Sequence, residues 1–497
     1  LHANKKNEQI KMKNPFLVAI VFILSVIILG YAYYKVTTGA TTIEVNELLF
    51  VIFLGGIGTF LLFWSLSGML LRIFMSFKKT YYKNLNMFVL RQVSSKVNTT
   101  VFSMSVISIM LFLTIGILSS ALSLKNSMTS NLKKLAPIDF QVMKYVDTSI
   151  DRTALEYTDV QLEDSKLSIR ETLNRLDINV DNTFTDIVEF STYQTEELTL
   201  RVSIGEEIKK VTEQYRFLQV DTKEDIMKIS DYNRLAKLFQ IPTYELNENE
   251  YIIVADFDSM VEVRNPSLKR KTPITMNGKT YLPKYEECKD GFFEISSNHI
   301  NTGLILVPDD AVRDDMKAKN YFAANYKETT EEGKDKTEEF IMEQTKNHPY
   351  KDSTRMNGMT KDAIYTASVG LGAMATFIGI YLGIIFLISS AAILALKELS
   401  ESSDNKDRYQ ILRRIGTDER MIRHALFTQI AIFFLVPLLV AIIHSIFGIQ
   451  FANKILETFG NEQLLPSIIM TATFLIAIYG GYFIITYLCS KNIISEK

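Results

Sequence analysis

The fold is decided by a charged segment between two apolar runs, 397-KELSESSDNKDRYQILRRIG-416. The run before it, residues 366–396, and the run after it, residues 425–447, are each long enough to cross a bilayer as a helix. Residues 397–420 therefore predict a hairpin at a membrane surface. At such a hairpin, a protein outside the membrane can act on helices inside it.

Apolar runs of membrane length recur along the whole chain. A helix of about 20 apolar residues spans the hydrocarbon core, which is about 30 Å thick. The runs that qualify are 15–34, 48–71, 101–124, 366–396, 425–447 and 467–489. The sequence therefore predicts a multi-pass membrane protein, an all-α bundle of six transmembrane helices.

Basic residues are concentrated in alternate loops. Cytoplasmic loops carry an excess of Lys and Arg. The basic segments are the N-terminal stretch 1–14, the loop after the second span, the hairpin 397–420 and the C-terminal tail. Both termini are therefore predicted to be cytoplasmic, and residues 125–362 to lie outside the cell.

Residues 125–362 contain no membrane-length apolar run and alternate between strand and helix patterns. Strands are predicted at 139–145, 187–193, 198–204, 251–255 and 303–307, and helices at 161–176, 222–238, 308–318 and 334–346. Asn277-Gly278 predicts a hairpin turn. Cys288 lies in this segment and Cys489 at the end of the last predicted span, so no disulfide between them is predicted. The segment predicts a large extracellular mixed α/β domain inserted between the third and fourth transmembrane helices.

The predicted spans carry almost no ionisable groups. Five of them have no Asp, Glu, Lys, Arg or His in their interior, and the exception is His444 in the fifth. Buried ionisable groups are usual in ion-coupled transporters, which argues against that class. For His444, a hydrogen bond to a neighbouring helix or to interfacial water is favoured over a proton relay. Gly379 and Gly383 form a GxxxG pattern, for which packing within one chain is favoured over dimerisation.

The loop after the second span predicts an amphipathic helix over residues 80–97. Phe88 and Gln92 follow a helical step, with Arg91 and Lys96 interleaved. Such a helix lies on the inner leaflet. It is either a plain membrane anchor or a second contact for a cytoplasmic partner.

Motifs for catalysis are missing from the sequence. There is no G-x-x-x-x-G-K-[ST] phosphate loop, no G-x-S-x-G, no H-E-x-x-H and no C-x-x-C. The histidines do not have metal-ligand spacing. The formal net charge is −2, which gives no reason to expect a nucleic-acid partner. The chain is predicted not to be an enzyme and to hold no cofactor itself.

The hairpin predicts a short helix with a defined end. Ile411, Leu412 and Ile415 share one helical face, with Tyr409 beside it, and Gly416 suits the left-handed conformation that ends a helix. One interpretation is an interfacial helix that accompanies the positive loop charges. The other is a coupling helix, held by a cytoplasmic motor.

The hairpin is followed by apolar segments with a proline and a histidine in a defined order. The whole pattern consists of the hairpin residues 396–416, followed by residues 429–434, Pro437 and residues 441–444. Together they resemble the C-terminal module of FtsX-like ABC permeases, here residues 390–490. Residues 90–99 and 110–115 are similar to the Bce-type branch, the antimicrobial-peptide-resistance permeases of low-GC Gram-positive bacteria. The resemblance covers nearly the whole chain.

The resemblance implies ten spans, a large extracellular domain between the seventh and eighth, and a separate ATPase subunit that binds ATP and Mg. This chain matches spans five to ten and begins at Leu1. A fragment that lacks four upstream helices and a shortened gene both stay open. The family implies recognition of bacitracin-like or lantibiotic peptides, often bound to lipid-linked cell-wall intermediates. In many members it also implies signalling to a membrane histidine kinase. Substrate contacts are expected within 125–362, at residues that the sequence does not identify.

Contacts to the ATPase are expected on both predicted cytoplasmic elements. On the hairpin the candidates are Glu398, Ser400, Glu401, Asp404, Arg408, Tyr409, Ile411, Leu412, Arg413 and Gly416. On the upstream helix they are Phe88, Arg91, Gln92 and Lys96. The rival hypothesis is a membrane adaptor or sensor, which relays the state of an ATPase to a histidine kinase or a cell-wall hydrolase without transport.

Overall fold

A computed structural model describes residues 14–40, 43–77, 81–146, 159–215, 218–350, 356–456 and 464–495. The predicted N-terminal stretch lies outside these residues, except for Asn14. The side chains of residues 94–99, which include Lys96, also lie outside the description. The chain divides into a membrane unit (Leu1–Ser123, Ala375–Ile455 and Glu462–Lys497) and a sheet unit (Leu124–Met374 and Leu456–Asn461).

The described residues form helices and one large sheet. The helices are α1 Pro15–Thr38, α2 Val45–Ser76, α3 Asn86–Leu135, α4 Asp159–Asp164, α5 Ile169–Arg175, α6 Val180–Thr183, α7 Leu200–Ile204, α8 Ile208–Gln214, α9 Ile229–Phe239, α10 Asp258–Lys269, α11 Glu331–Asn347, α12 Lys361–Asp404, α13 Lys406–Arg414, α14 Glu419–Ile455 and α15 Leu464–Ser495. The strands are β1 Phe140–Tyr145, β2 Phe184–Tyr193, β3 Asp225–Lys228, β4 Glu250–Val254, β5 Ile274–Met276, β6 Lys279–Pro283, β7 Leu304–Val307, β8 Lys317–Tyr326 and β9 Met356–Thr360.

Six of the described helices are long and apolar enough to cross a membrane, which confirms the predicted number. These helices are α1, α2, α3, α12, α14 and α15, with a mean hydropathy of 2.1 to 2.7 in their most apolar windows. Each predicted span lies inside one of them, and each helix is longer than its span. The helices extend because polar flanking residues keep the same backbone hydrogen bonds after the apolar run has ended.

Helix α3 joins two segments that were predicted as separate helices. The predicted amphipathic helix 80–97 is, from Asn86 onward, the first part of the same helix that contains the predicted span 101–124. Residues 94–100 contain no Gly or Pro to break it. The predicted interruption is therefore absent, while the position on the inner leaflet stays a prediction.

The GxxxG pattern of α12 packs against α3 within the membrane unit. A Cβ atom at Gly379 would lie 2.2 Å from the Cβ of Ala121, and one at Gly383 would lie 2.5 Å from Cγ of Leu118. Only glycine leaves room for so close an approach of two helices. The preference for packing within one chain is confirmed for this pattern.

The sheet unit contains a mixed nine-stranded sheet, with the order β5-β6-β4-β7-β3-β2-β8-β1-β9 among the described residues. The pairs β3/β7 and β4/β6 are parallel, and the other neighbours are antiparallel. A mixed sheet domain is thus confirmed. The predicted hairpin turn at Asn277-Gly278 joins β5 to β6.

Side chains alternate between two cores, one on each face of the sheet. On β7, Leu304 and Leu306 belong to one core, while Ile305 and Val307 belong to the other. All four are fully buried. This period of two is what a strand covered on both faces requires.

Two buried ion pairs hold short elements of the sheet unit together. Arg264 on α10 binds Glu224 through two hydrogen bonds of 2.8 Å and donates a third to the carbonyl of Thr302. Lys144 on β1 lies 2.9 Å from Asp164 of α4. All four charged side chains are at most 5 % exposed.

Residues 161–176, predicted as one helix, contain two short helices, α4 and α5, with a break at residues 165–168. Three further local predictions in the sheet unit are wrong in whole or in part. Residues 198–204, predicted as a strand, contain helix α7. Residues 308–318, predicted as a helix, contain two short 3₁₀ turns and the start of β8. Residues 222–238 contain β3 before α9 begins. In the first case Leu200 and Ile204 are buried one helical turn apart, a spacing that also fits strand alternation.

Candidate functional site

The hairpin between α12 and α14 contains the short helix α13. Helix α12 ends at Asp404, and α13 begins one residue later at Lys406. Gly416 has a φ of +85°, and its N–H donates to the carbonyl of Arg413 at 3.0 Å. The prediction that Gly416 adopts the left-handed conformation at the end of this helix is confirmed.

Tyr409 fixes the inner face of α13 to two other helices. Its side chain is fully buried, and its hydroxyl donates to Oε1 of Gln429 on α14 at 3.3 Å. Its ring meets that of Phe88 on α3 edge to face, with centroids 5.5 Å apart. Burial raises the pKa of Tyr409, and the Glu398 carboxyl adds to this, so the hydroxyl stays protonated and able to donate.

Arg413 joins the same short helix to α15. Its Nη1 donates to the carbonyl of Ile494, in the last turn of α15, at 2.5 Å. Its Nε also pairs with the carboxylate of Glu419 at the start of α14. A cation is favourable at a helix C-terminus because the last carbonyls lack partners within the helix. Contacts with three helices thus seat α13: α3 and α14 through Tyr409, and α14 and α15 through Arg413.

The outer face of α13 carries exposed charged residues and, among them, two exposed isoleucines. Ile411 is 57 % exposed, and Ile415, just after the helix, is 72 % exposed. Leu412 is half-buried against the cluster that contains Tyr409. The structure therefore divides the predicted apolar face, with Leu412 turned partly inward and the two isoleucines outward. Large apolar side chains exposed side by side are typical of an interaction surface.

The other predicted hairpin residues also divide between surface and interior. Ser400, Asp404, Arg408 and Gly416 are exposed, and Glu401 is half-buried. Glu398 is fully buried, so an added protein would not reach it in this conformation. The contacts of all these residues with an ATPase stay a prediction.

A buried stripe on α12 and α13 went unpredicted. Its members are Leu387, Ala391, Leu394, Glu398, Ser402, Asn405 and Tyr409, all at most 3 % exposed. They follow steps of four and three residues, the spacing of one helical face. The signal was present in the sequence, but the stripe changes from apolar to polar at Glu398, which makes its continuation look like a solvated loop.

Phe88 of the upstream segment meets the hairpin. Phe88 contacts Tyr409, as described above, while Gln92 is buried and Arg91 is exposed. The side chain of Lys96 lies outside the described residues. The structure therefore brings the two predicted cytoplasmic elements together through Phe88.

His444 on α14 binds the helical pair α1–α2. Its Nδ1 lies within hydrogen-bonding distance of the Tyr33 hydroxyl on α1, and its Nε2 lies 3.0 Å from Oγ1 of Thr59 on α2. The Thr59 hydroxyl already donates to the carbonyl of Gly55, so it accepts from Nε2–H. Nδ1 must then accept from Tyr33. The favoured interpretation, a histidine hydrogen-bonded to a neighbouring helix, is confirmed.

The described residues contain no group of three His, Cys, Asp or Glu side chains placed to hold a metal ion. The arrangement at the hairpin is one of packing and hydrogen bonding. What it offers chemically is a short helix fixed on one face and open to a partner on the other.

Comparison with known proteins gives four relatives and no matching protein-family model. The chain is 22 % identical to the ABC transporter permease protein YxdM of Bacillus subtilis over 237 residues, 47 % of this chain and 37 % of that protein. It is 22 % identical to the uncharacterized ABC transporter permease YvcS of the same organism over 484 residues, 96 % of this chain and 68 % of that protein. It is 32 % identical to the bacitracin export permease protein BceB of Bacillus subtilis over 131 residues, 26 % of this chain and 20 % of that protein.

The chain is similar to ABC transporter permeases. This similarity supports the ABC permease part of the sequence prediction, and the six apolar helices agree with a membrane subunit. The matched region spans just over a third of YxdM and about two thirds of YvcS.

Proposed function

We propose that the chain is a permease subunit of a Bce-type ABC transporter that confers resistance to bacitracin-like or lantibiotic peptide antibiotics. In this proposal a separate ATPase subunit binds ATP and Mg, and the hairpin and both termini lie in the cytoplasm. The similarity to permeases that include a bacitracin export permease supports the transporter class. Peptides, alone or bound to lipid-linked cell-wall intermediates, would meet the sheet unit, and a membrane histidine kinase would be a further partner.

The observation that carries the coupling role is the two-sided nature of α13. Its inner face is held by Tyr409 and Arg413, while Ile411 and Ile415 are exposed. A helix seated in this way transmits displacement to the helices that it contacts, since packed side chains resist deformation. We propose that the ATPase binds the two isoleucines and that its closure on ATP displaces α13, and with it α3, α14 and α15.

The test is the Ile411→Asp/Ile415→Asp variant, expressed together with the cognate ATPase. Aspartate replaces an apolar contact with a charge, so co-purification of the ATPase and stimulated ATP hydrolysis should both be lost. Ile300→Asp is the matched control, because Ile300 is an exposed isoleucine of the sheet unit, 45 % exposed. Undiminished co-purification of the hairpin variant would contradict the coupling role.

Resistance and signalling separate this proposal from the adaptor hypothesis. A transporter variant that no longer binds its ATPase should lose resistance to bacitracin in cells. Retained resistance together with lost induction of a kinase-dependent reporter would instead favour the adaptor.

A further inference from the structure

A small cavity lies where the turn before α3 meets the first two turns of α14. Its volume is about 180 Å³. Asn84, Asn86, Arg420 and His424 supply its polar lining, and Leu85 and Met421 supply apolar walls. Asn84 adopts a left-handed φ of +53°, which turns the chain at this point.

Among the described residues, the polar lining consists of amide and basic side chains, with no carboxylate. The Arg420 guanidinium forms no ion pair with a carboxylate of the described residues. The two acidic residues just before it are engaged: Glu419 pairs with Arg413, and Oδ1 of Asp418 accepts the backbone N–H of Arg420 at 3.1 Å. Lys83 and Arg423, the chain neighbours of the lining residues Asn84 and His424, are exposed and add positive charge to this region. These amide and basic groups favour a ligand that is an anion and accepts several hydrogen bonds.

The cavity lies at the polar end of a membrane helix. The long apolar run of α14 begins at Ala425, directly after His424. The residues just before such a run lie at the level of the lipid headgroups. Exposed Phe77 and Tyr82 precede the turn that forms the other wall, and aromatic side chains are enriched at this level.

We propose that this cavity binds the phosphate of an anionic phospholipid. Arg420 and His424 would contact the phosphate, and the Asn84 and Asn86 amides would bind the headgroup or glycerol oxygens. An anionic lipid is favoured over a zwitterionic one because the choline or ethanolamine cation would lie beside Lys83 and Arg423. The site requires a membrane position but no ATPase, so it does not depend on the function proposed above.

The experiment compares spin-labelled phosphatidylglycerol with spin-labelled phosphatidylcholine around the full chain in phosphatidylcholine vesicles. The fraction of motionally restricted label measures the preference. The wild type should prefer phosphatidylglycerol, and Arg420→Gln/His424→Gln should reduce that preference by roughly fivefold, since a basic residue at the surface contributes about 1 kcal/mol. Arg420→Lys, which keeps the charge, should retain most of it.

Arg414→Gln is the matched control. Arg414 is exposed, lies on α13 and is not among the lining residues, so the variant removes one arginine charge from the same hairpin, as Arg420→Gln does. An equal loss of preference in this control would show a diffuse surface charge and overturn the site. An absent preference in the wild type would overturn it as well. If the lipid preference were absent and Arg420→Gln reduced co-purification of the ATPase, the cavity would instead bind an acidic segment of the ATPase.

Discussion

The sheet unit buries complete ion pairs, whereas the membrane unit buries mainly hydroxyl and amide groups. In the sheet unit, Arg264 with Glu224 and Lys144 with Asp164 lie in the interior. In the membrane unit, the buried polar set is dominated by Ser, Thr and Gln, with His444 between two hydroxyls and Glu398 as an acidic member. Long helices satisfy their own backbone, so few side chains are needed to hold it. The short elements of the sheet unit depend on side chains that bind distant loops.

Each unit carries its own probe of unfolding. Trp64, the single tryptophan of the chain, lies on α2 in the membrane unit. Cys288 lies in the sheet unit, and burial raises the pKa of its thiol to about 11, so it should react slowly with maleimides until that unit opens. With the exposed Cys489 replaced by serine, the two signals report on the two units separately.

The largest effect is expected from breaking a buried ion pair. Arg264→Met would leave the Glu224 carboxylate buried without its partner, which costs about 3–5 kcal/mol of unfolding free energy. Cys288 should become reactive at a lower denaturant concentration. Arg264→Met/Glu224→Leu should recover much of the loss. If the unfolding transition followed by Trp64 fluorescence moved by the same amount, the two units would not unfold separately. That result would contradict the comparison between them.

A smaller loss is expected from filling the close contact between α3 and α12. In Gly379→Ala the added methyl would lie 2.2 Å from that of Ala121, so the helices must separate, at a cost of about 1–3 kcal/mol. The thermal midpoint followed by Trp64 fluorescence should fall. Gly480→Ala is the control, because no atom of the described residues lies within 4 Å of a Cβ there. An equal fall in both variants would contradict the role of close packing, because Gly→Ala at an open helical position should stabilise the helix.

A still smaller effect is expected at His444. His444→Leu removes the acceptor for Tyr33 and the donor for Thr59, and hydrogen bonds between membrane helices contribute about 1 kcal/mol. Trp64 lies on the same helix as Thr59 and should report this loss directly. A sheet-unit signal that moved more than the tryptophan signal would contradict the assignment of this residue to helix packing.

The smallest effect is expected from a lone buried acid of the sheet unit. Burial raises the pKa of Glu338, whose carboxyl accepts hydrogen bonds from the Tyr326 hydroxyl at 2.5 Å and from Thr360. A raised folded-state pKa means that its contribution is present below the ordinary Glu pKa and is lost as pH rises through the folded value. The unfolding free energy of the wild type should therefore fall as the pH rises through the folded-state pKa of Glu338. In Glu338→Gln this fall should be smaller, by about 1 kcal/mol or less. Denaturant titrations at several pH values, followed by circular dichroism, would measure it, and an unchanged slope would contradict it.

The sequence predicts the parts of the fold that follow from apolar content alone. It does not predict the parts that depend on contacts between residues distant in the chain. The six long helices follow from apolar runs, and the end of α13 follows from Gly416. The continuation of α3 through residues 94–100 was missed because the polar residues there separate the amphipathic segment from the apolar run. The orientation of α13 was also unpredictable, since an amphipathic pattern does not tell which apolar residues face the bundle and which stay free for a partner. Tyr409 faces inward because Phe88 and Gln429 lie there.

The unbroken length of α3 has a consequence for how this chain can vary. Each residue turns a helix by about 100°, so one residue inserted between Ala121 and Leu135 would rotate everything beyond it by that angle. Insertions of about seven or eleven residues nearly restore the original direction. Length differences in this helix among relatives should therefore come in such steps. Turns such as Asn277-Gly278 should instead accept residues one at a time.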